Sequence, residues 1–279
     1  MYEAILYEVD DPVATITLNR PEKLNALTRQ MRLELEQALV DAERRADVVG
    51  IVLTGAGRGF CAGADMGELQ QIQAAGSIAA VDLPPGADHV RPGDARMGED
   101  FAQGLAYLLT VRKPVICAVN GACAGMGFSL AMFCDLRFAA ENAAFTTAYS
   151  QRGLVAEHGM SWLLPRLIGP ARALDLLWSG RKFDGREALQ LGVVNAVAPA
   201  DQLLALAQNY VRTLAATTSP GSLMHIKRQV YRHLLQPLGT ALTETQALMD
   251  ASVTWPDFKE GIASFRERRP PQFPRVSAG

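Results

Sequence analysis

Apolar positions along the chain switch repeatedly between a strand period and a helix period. Val13 to Leu18 is a run of β-formers that predicts a strand, broken by Asn19-Arg20-Pro21. Thr28 is placed to cap a helix over residues 29–45, where Met31, Leu35, Ala38, Leu39 and Ala42 recur at helical spacing. Val48 to Leu53 is short and continuously apolar, as in strands buried on both faces. It runs into the small-residue loop Gly55 to Asp65, with a helix expected from about Asp65. Pro114 to Val119 repeats the design: a buried strand, a glycine-rich turn from Asn120 to Gly127, and an apolar helix ending at Met132 or Phe133. Leu136 to Ala140 reads as a further strand, and helices are expected over 161–167 and 171–178. Asp184 and Glu187 form a capping-box pattern for a helix to Leu191, closed by Gly192, and 193–197 reads as a last strand. From Pro199 onward the period is helical, with helices predicted over 200–217, 221–235, 238–252 and 257–268. Pro256 fits the first turn of the last one. Residues 82–98 hold three prolines and three glycines and read as a mobile surface loop. The expected architecture is α/β, with a core over 1–198 and a C-terminal helical region over 199–279.

Composition narrows the function classes. At 279 residues and 49% hydrophobic, the chain has ample material for a large core. A formal net charge of -2 with no basic stripe argues against nucleic acid as a partner. The N-terminal residues lack the basic and apolar regions of a secretory signal, and no run of about 18 apolar residues predicts a membrane span. The four cysteines, Cys61, Cys117, Cys123 and Cys134, fit neither a disulfide framework nor a zinc pair. A cytoplasmic protein without a metal is the expectation.

The two strand-to-turn-to-helix segments carry the candidate chemistry. Glycine lets the backbone approach a ligand closely, and the first turn of a helix leaves N–H donors unpaired. Two such donors converging on one oxygen make an oxyanion hole, where losing one donor typically removes about 2.7–4 kcal/mol of transition-state stabilisation. Either segment taken alone also reads as an ordinary tight turn of an α/β sheet. A dinucleotide fingerprint is disfavoured, because Phe60 occupies the position after Gly55 and Gly57 that needs Gly or Ala.

Gly59-Phe60-Cys61-Ala62-Gly63-Ala64-Asp65-Met66 resembles the first motif of the crotonase (enoyl-CoA hydratase/isomerase) superfamily. The stretch from Asn120-Gly121 through Gly125, Gly127, Leu130-Ala131 and Cys134-Asp135 resembles the second. Leu18-Asn19-Arg20-Pro21, Asn25-Ala26-Leu27, the stretch from Gly180 through Phe183 and Ala188 to Gly192-Val193-Val194, and Lys259 to Phe265 continue the likeness in family order. The resemblance implies a crotonase-like ββα spiral core, a C-terminal trimerisation region, an acyl-CoA substrate and no cofactor apart from the coenzyme A of that substrate. Its oxyanion donors fall on Ala64 and Met126, the latter at a position where the family usually carries Gly.

Family hydratases carry two glutamates, and the matching positions here are Ser129 and Tyr149, candidates to hydrogen-bond substrate or water. Gly153 to Gly159 instead resembles family members that shift double bonds, placing a carboxylate at Glu157. One carboxylate suffices to remove a proton from one acyl carbon and return it to another. Family dehalogenases use a nucleophilic carboxylate at the same position. His158 is adjacent and is a candidate to orient the acid. The resemblance also places Lys23, Ala26, Ala62, Gly63, Asp65, Met66, Gly125 and Gly127 about the acyl-CoA, with Met66, Phe128 and Trp162 as candidates for an acyl tunnel. Asp65 and Asp135 are expected to brace the turns, and Arg266, Arg268 and Arg269 are candidate phosphate contacts. Homotrimers or homohexamers are expected. The leading reading is double-bond isomerisation. The alternatives are a divergent hydratase and a non-catalytic acyl-CoA-binding or interaction protein.

Overall fold

The computed structural model describes residues 2–77 and 91–276. The chain opens with β1 (Ile5–Asp10) and β2 (Val13–Leu18), followed by α1 (Arg29–Arg44). Next come β3 (Gly50–Gly55), β4 (Gly59–Cys61) and α2 (Met66–Ala75). The same ββα order recurs in β5 (Val115–Val119), β6 (Ala122–Ala124) and α3 (Met126–Met132). β7 (Leu136–Ala140) and β8 (Phe145–Thr146) precede α4 (Met160–Ile168), α5 (Pro170–Ser179) and α6 (Gly185–Leu191). β9 (Ala196–Ala198) leads into α7 (Leu203–Thr217), α8 (Pro220–His233), α9 (Leu238–Ser252) and α10 (Pro256–Glu267).

Two sheets result: a six-stranded one in the order β1-β2-β3-β5-β7-β9 and a three-stranded one in the order β4-β6-β8. Among the described residues, β1–β2 is the antiparallel pair of named strands and the other named pairs are parallel. All of β3 and all of β5 is buried, as their continuous apolar runs require. β3 and β5 are neighbours in the large sheet, and β4 and β6 are neighbours in the small one. The two chain segments therefore leave one sheet side by side and pair again in the next. This double pairing brings the two glycine-rich corners together. Gly127, in the first turn of α3, permits the approach: a methyl at its Cα would lie 2.2 Å from the Cys61 carbonyl oxygen.

Several expectations need correction. β1 was not foreseen, although buried Ile5 and half-buried Tyr7 and Val9 alternate with exposed Leu6, Glu8 and Asp10. The segments 55–65 and 120–127 are more than loops, since each contributes a short strand to the small sheet. The last strand begins at Ala196, not Val193. The N–H groups of Val193 and Val194 both turn back to the Ala188 carbonyl at the end of α6, so they are unavailable to the sheet. Of the expected mobile loop 82–98, residues 82–90 lie outside the described residues. The remainder is anchored: Asp94 N–H donates to the Thr110 carbonyl at 2.9 Å, Gly93 N–H donates to the Glu43 carboxylate at 2.6 Å, and Met97 is buried.

Expected caps are present. Thr28 Oγ1 accepts from Met31 N–H, and Asp184 accepts from Glu187 N–H at 2.8 Å. Leu203, Ala207 and Val211, four apart on α7, bury that helix against the large sheet. α8 is tied to the core through Asp135. Its carboxylate accepts from Val115 N–H, from Lys227 Nζ at 2.7 Å and from the Tyr231 hydroxyl at 2.9 Å. Asp135 thus braces the sheet exit and holds the C-terminal helices in place.

Candidate active site

The first corner is held by a bridge between Leu27 and Ala64. Leu27 N–H donates to the Gly63 carbonyl at 2.8 Å, and Asp65 N–H donates to the Leu27 carbonyl at 3.0 Å. That pairing uses the groups on either side of Ala64 and turns the Ala64 N–H to the opposite side. Gly63 sits at φ +112°, a conformation that a side chain disfavours. A methyl there would lie 3.2 Å from the Ala124 carbonyl oxygen and 3.7 Å from the Met126 nitrogen. The second corner therefore faces the first at near-contact distance. Met126 is the first residue of α3, so its N–H has no acceptor within the helix. Its side chain is half-buried. The two amides singled out from the sequence come from facing corners.

Around them the structure places two hydroxyls. Ser129 Oγ and Tyr149 Oη are 2.5 Å apart, and both residues are buried. The Tyr149 hydroxyl also lies 3.1 Å from the Gly125 carbonyl oxygen. Burial raises the Tyr149 pKa well above the ordinary phenol range, and the nearby Glu157 charge adds to the rise. The phenol is therefore neutral at any working pH and acts as a hydrogen-bonding group.

Glu157 lies in the loop before α4, half-buried. Burial raises its pKa above the ordinary carboxylate range, partly offset by the positive charge of Arg152. His158 follows with φ +52°, and Met160 N–H donates to the Glu157 carbonyl at 3.0 Å, fixing the entry into α4. His158 and Gly159 line a cavity of about 620 Å³. Its apolar wall comes from Phe101, Leu105, Leu109, Phe133, Trp162 and Leu235. The Arg166 guanidinium stacks 4.0 Å from the Trp162 ring centre and holds that wall. A volume of roughly 150 Å³ already accepts a benzene molecule, so this chamber has room for a large apolar group.

Other candidates fall differently. Lys23 is exposed at the end of a short turn over Pro21–Lys23, and Ala26 and Ala62 are half-buried beside the first corner. Asp65 accepts from Gly67 N–H to cap α2 and pairs with Arg20 at 3.0 Å, so it is a brace. Met66 is 68% exposed, on the surface at the start of α2. Phe128 is no tunnel wall: it is fully buried, edge-on to Phe145 and Phe183. Trp162 does line the cavity. The four cysteines are buried thiols, and burial pushes Cys61 up to about 12, which leaves it unreactive. Arg269 is engaged by Glu260 and Glu267, while Arg266 and Arg268 are exposed. Sequence reading missed Phe101, Leu105, Leu109, Phe133 and Leu235. The four-residue spacing of the first three was their available signal. Among the described residues, no group of three or more His, Cys, Asp or Glu is placed to hold a metal ion. No helix there is long and apolar enough to cross a membrane.

Facing backbone corners built from a ββα repeat define the class of fold, and comparison with known proteins names it. The profile of the enoyl-CoA hydratase/isomerase family matches residues 8–275, and the chain belongs to that family, within the crotonase superfamily. It is 36% identical over 273 residues to the 1,2-epoxyphenylacetyl-CoA isomerase of Escherichia coli, covering 98% of this chain and 99% of that protein. The crystal structure of an enoyl-CoA hydratase from Bacillus anthracis superposes with a TM-score of 0.84 at 27% identity, covering 98% of this chain and 99% of that one. That of an enoyl-CoA hydratase from Polaromonas sp. gives 0.82 at 31% identity, covering 97% and 100%.

Proposed function

We propose that the protein is an acyl-CoA enzyme that moves a double bond along an enoyl thioester, with Glu157 as its only catalytic carboxylate. In this reading the Ala64 and Met126 N–H groups donate to the thioester oxygen. Glu157 removes a proton from C2 of a 3-enoyl-CoA, the negative charge spreads onto the oxygen, and the same proton returns at C4 to give the 2-enoyl-CoA. Coenzyme A enters and leaves with the substrate, along Lys23, Ala26 and Ala62. The apolar chamber beside His158 and Gly159 receives the acyl group. A cytoplasmic setting and assembly into trimers or hexamers belong to the same proposal.

The observation that carries this reading is the hydrogen bond between two buried neutral hydroxyls, Ser129 and Tyr149, in reach of the charge of Glu157. Ser129 and Tyr149 stand where the family's hydratases carry glutamates, and they bond to each other rather than waiting to bind water. A hydration mechanism needs groups that hold and deprotonate water, whereas a 1,3-proton shift needs one base. The isomerase named among the relatives points the same way. The names of the similar crystal structures favour a second reading, a divergent hydratase.

Assays with a 3-enoyl-CoA and with crotonyl-CoA separate the two. Isomerisation of the first with negligible hydration of the second is expected. Glu157→Gln is expected to bind acyl-CoA almost unchanged and to lose about 10²–10⁴-fold in turnover. Full activity in that variant removes Glu157 from the mechanism. Hydration without isomerisation installs the second reading, and tight acyl-CoA binding without turnover of any thioester marks a binding protein.

A further inference from the structure

The Gly125–Met126 peptide has two ends with different duties. Its N–H is the donor that the proposed function assigns to the thioester oxygen. Its carbonyl, on Gly125, is unusually well supplied with donors. Ser129 N–H donates to it at 3.0 Å. Tyr149 Oη lies 3.1 Å away and Ser129 Oγ 3.4 Å away. The two hydroxyls are also 2.5 Å from each other.

Counting protons restricts the arrangement. The two hydroxyls own one proton each. If one donates to the other, the second proton is left for the Gly125 carbonyl. Either order ends the chain on that same oxygen, and the shorter distance favours Tyr149 as the final donor. Both residues are buried, so bulk water does not compete for these bonds. Burial also keeps the phenol protonated, so it remains a donor.

Hydrogen bonds to a peptide carbonyl draw electron density away from the nitrogen and strengthen donation by the N–H of the same peptide. They also fix the plane of the peptide, and with it the direction of the N–H. We infer that Tyr149, backed by Ser129, is a positioning residue that orients and polarises the Gly125–Met126 peptide as an oxyanion donor. This rests on the proposed function, because it needs a thioester oxygen at the Met126 N–H. It gives the two hydroxyls a task in the reaction that involves no water.

The test is a vibrational or carbon-13 measurement of the thioester carbonyl in a bound, carbonyl-labelled acyl-CoA, with kcat and KM measured in parallel. In the wild-type protein the carbonyl signal should move from its solution position toward that of a more polarised carbonyl. Tyr149→Phe, which removes one oxygen and keeps the ring, should return part of that displacement. It should lower kcat about tenfold, the scale of one hydrogen bond felt in the transition state, and leave KM nearly unchanged. Ser129→Ala, which leaves the Tyr149 bond in place, should move both readouts less. The double variant should move them at least as far as Tyr149→Phe. A Tyr149→Phe protein with a wild-type carbonyl signal and wild-type kcat overturns this role and leaves the proposed function standing. A wild-type protein that does not displace the carbonyl signal overturns both. Loss of kcat in Tyr149→Phe with an unmoved carbonyl signal also rejects the role, because a merely structural effect leaves that signal alone.

Discussion

Glu157, the proposed base, is a partly desolvated carboxylate with a positive charge nearby that offsets the effect of the desolvation. Burial raises its pKa and Arg152 pulls it back. The base must be deprotonated, so kcat/KM should rise with pH through an acid limb. That limb should lie above the ordinary glutamate range because the raised form is the folded, free enzyme. Arg152→Gln removes the charge that favours the carboxylate and should move the limb to still higher pH, as a full pH–rate profile of both proteins would record. A limb that stays in place in the variant rejects Glu157 as the titrating group. At this scale, the sequence was informative where chemistry depends on position along the chain. The resemblance to the family's motifs puts the proposed backbone donors at Ala64 and Met126 and the proposed carboxylate at Glu157. The roles of Ser129 and Tyr149 do not follow from it, because their hydrogen bonds join residues twenty apart in sequence whose meeting depends on the sheet pairing.

Strong periods made most elements readable. α1, β3, β5 and α7 each show a buried stripe or run that one period explains. The small sheet was not readable, since strands of two or three residues are too short to show alternation. The cavity wall from Phe101 to Leu109 was also missed, because its short 3-10 turns carry no sustained helical stripe. Phe128 shows how an apolar residue inside a functional motif can belong to the core. On α3 it faces Phe145 of β8 and Phe183, fastening the helix that presents Met126 to the small sheet. Phe128→Ala should therefore destabilise the protein by about 3–5 kcal/mol in urea unfolding, the range for a buried aromatic cut to alanine. A loss below about 1 kcal/mol in that measurement would mean that α3 is held by other contacts. An acyl-chain preference unchanged in the folded fraction is expected as well, because the cavity wall lies elsewhere.

At the scale of the whole molecule, exposed large apolar side chains on the last two helices form the proposed assembly face. Leu238 is 73% exposed, Leu242 58% and Met249 55% on α9, and Phe265 is 84% exposed on α10. Several copies of the chain, as proposed above, would bury that face. The active site shares in this arrangement. Leu235, in the turn after α8, is exposed and also lines the cavity beside His158, and α8 is fixed to the core by the Lys227 and Tyr231 bonds to Asp135. The proposed assembly face and the proposed acyl cavity therefore come close in sequence at the turn from α8 into α9. Light scattering should give a mass of three or six times the 30.1 kDa chain. Paired substitutions Leu238→Glu and Phe265→Glu place charges on the face and should shift the mass toward the single chain, since burying unpaired charges is strongly unfavourable. Acyl-CoA affinity should fall in the same variant, because the end of α8 loses its outer support while Glu157 and the two backbone donors are untouched. A wild-type chain that scatters as a monomer would remove the assembly. A dissociated variant with undiminished affinity would show that the cavity wall is complete within one chain.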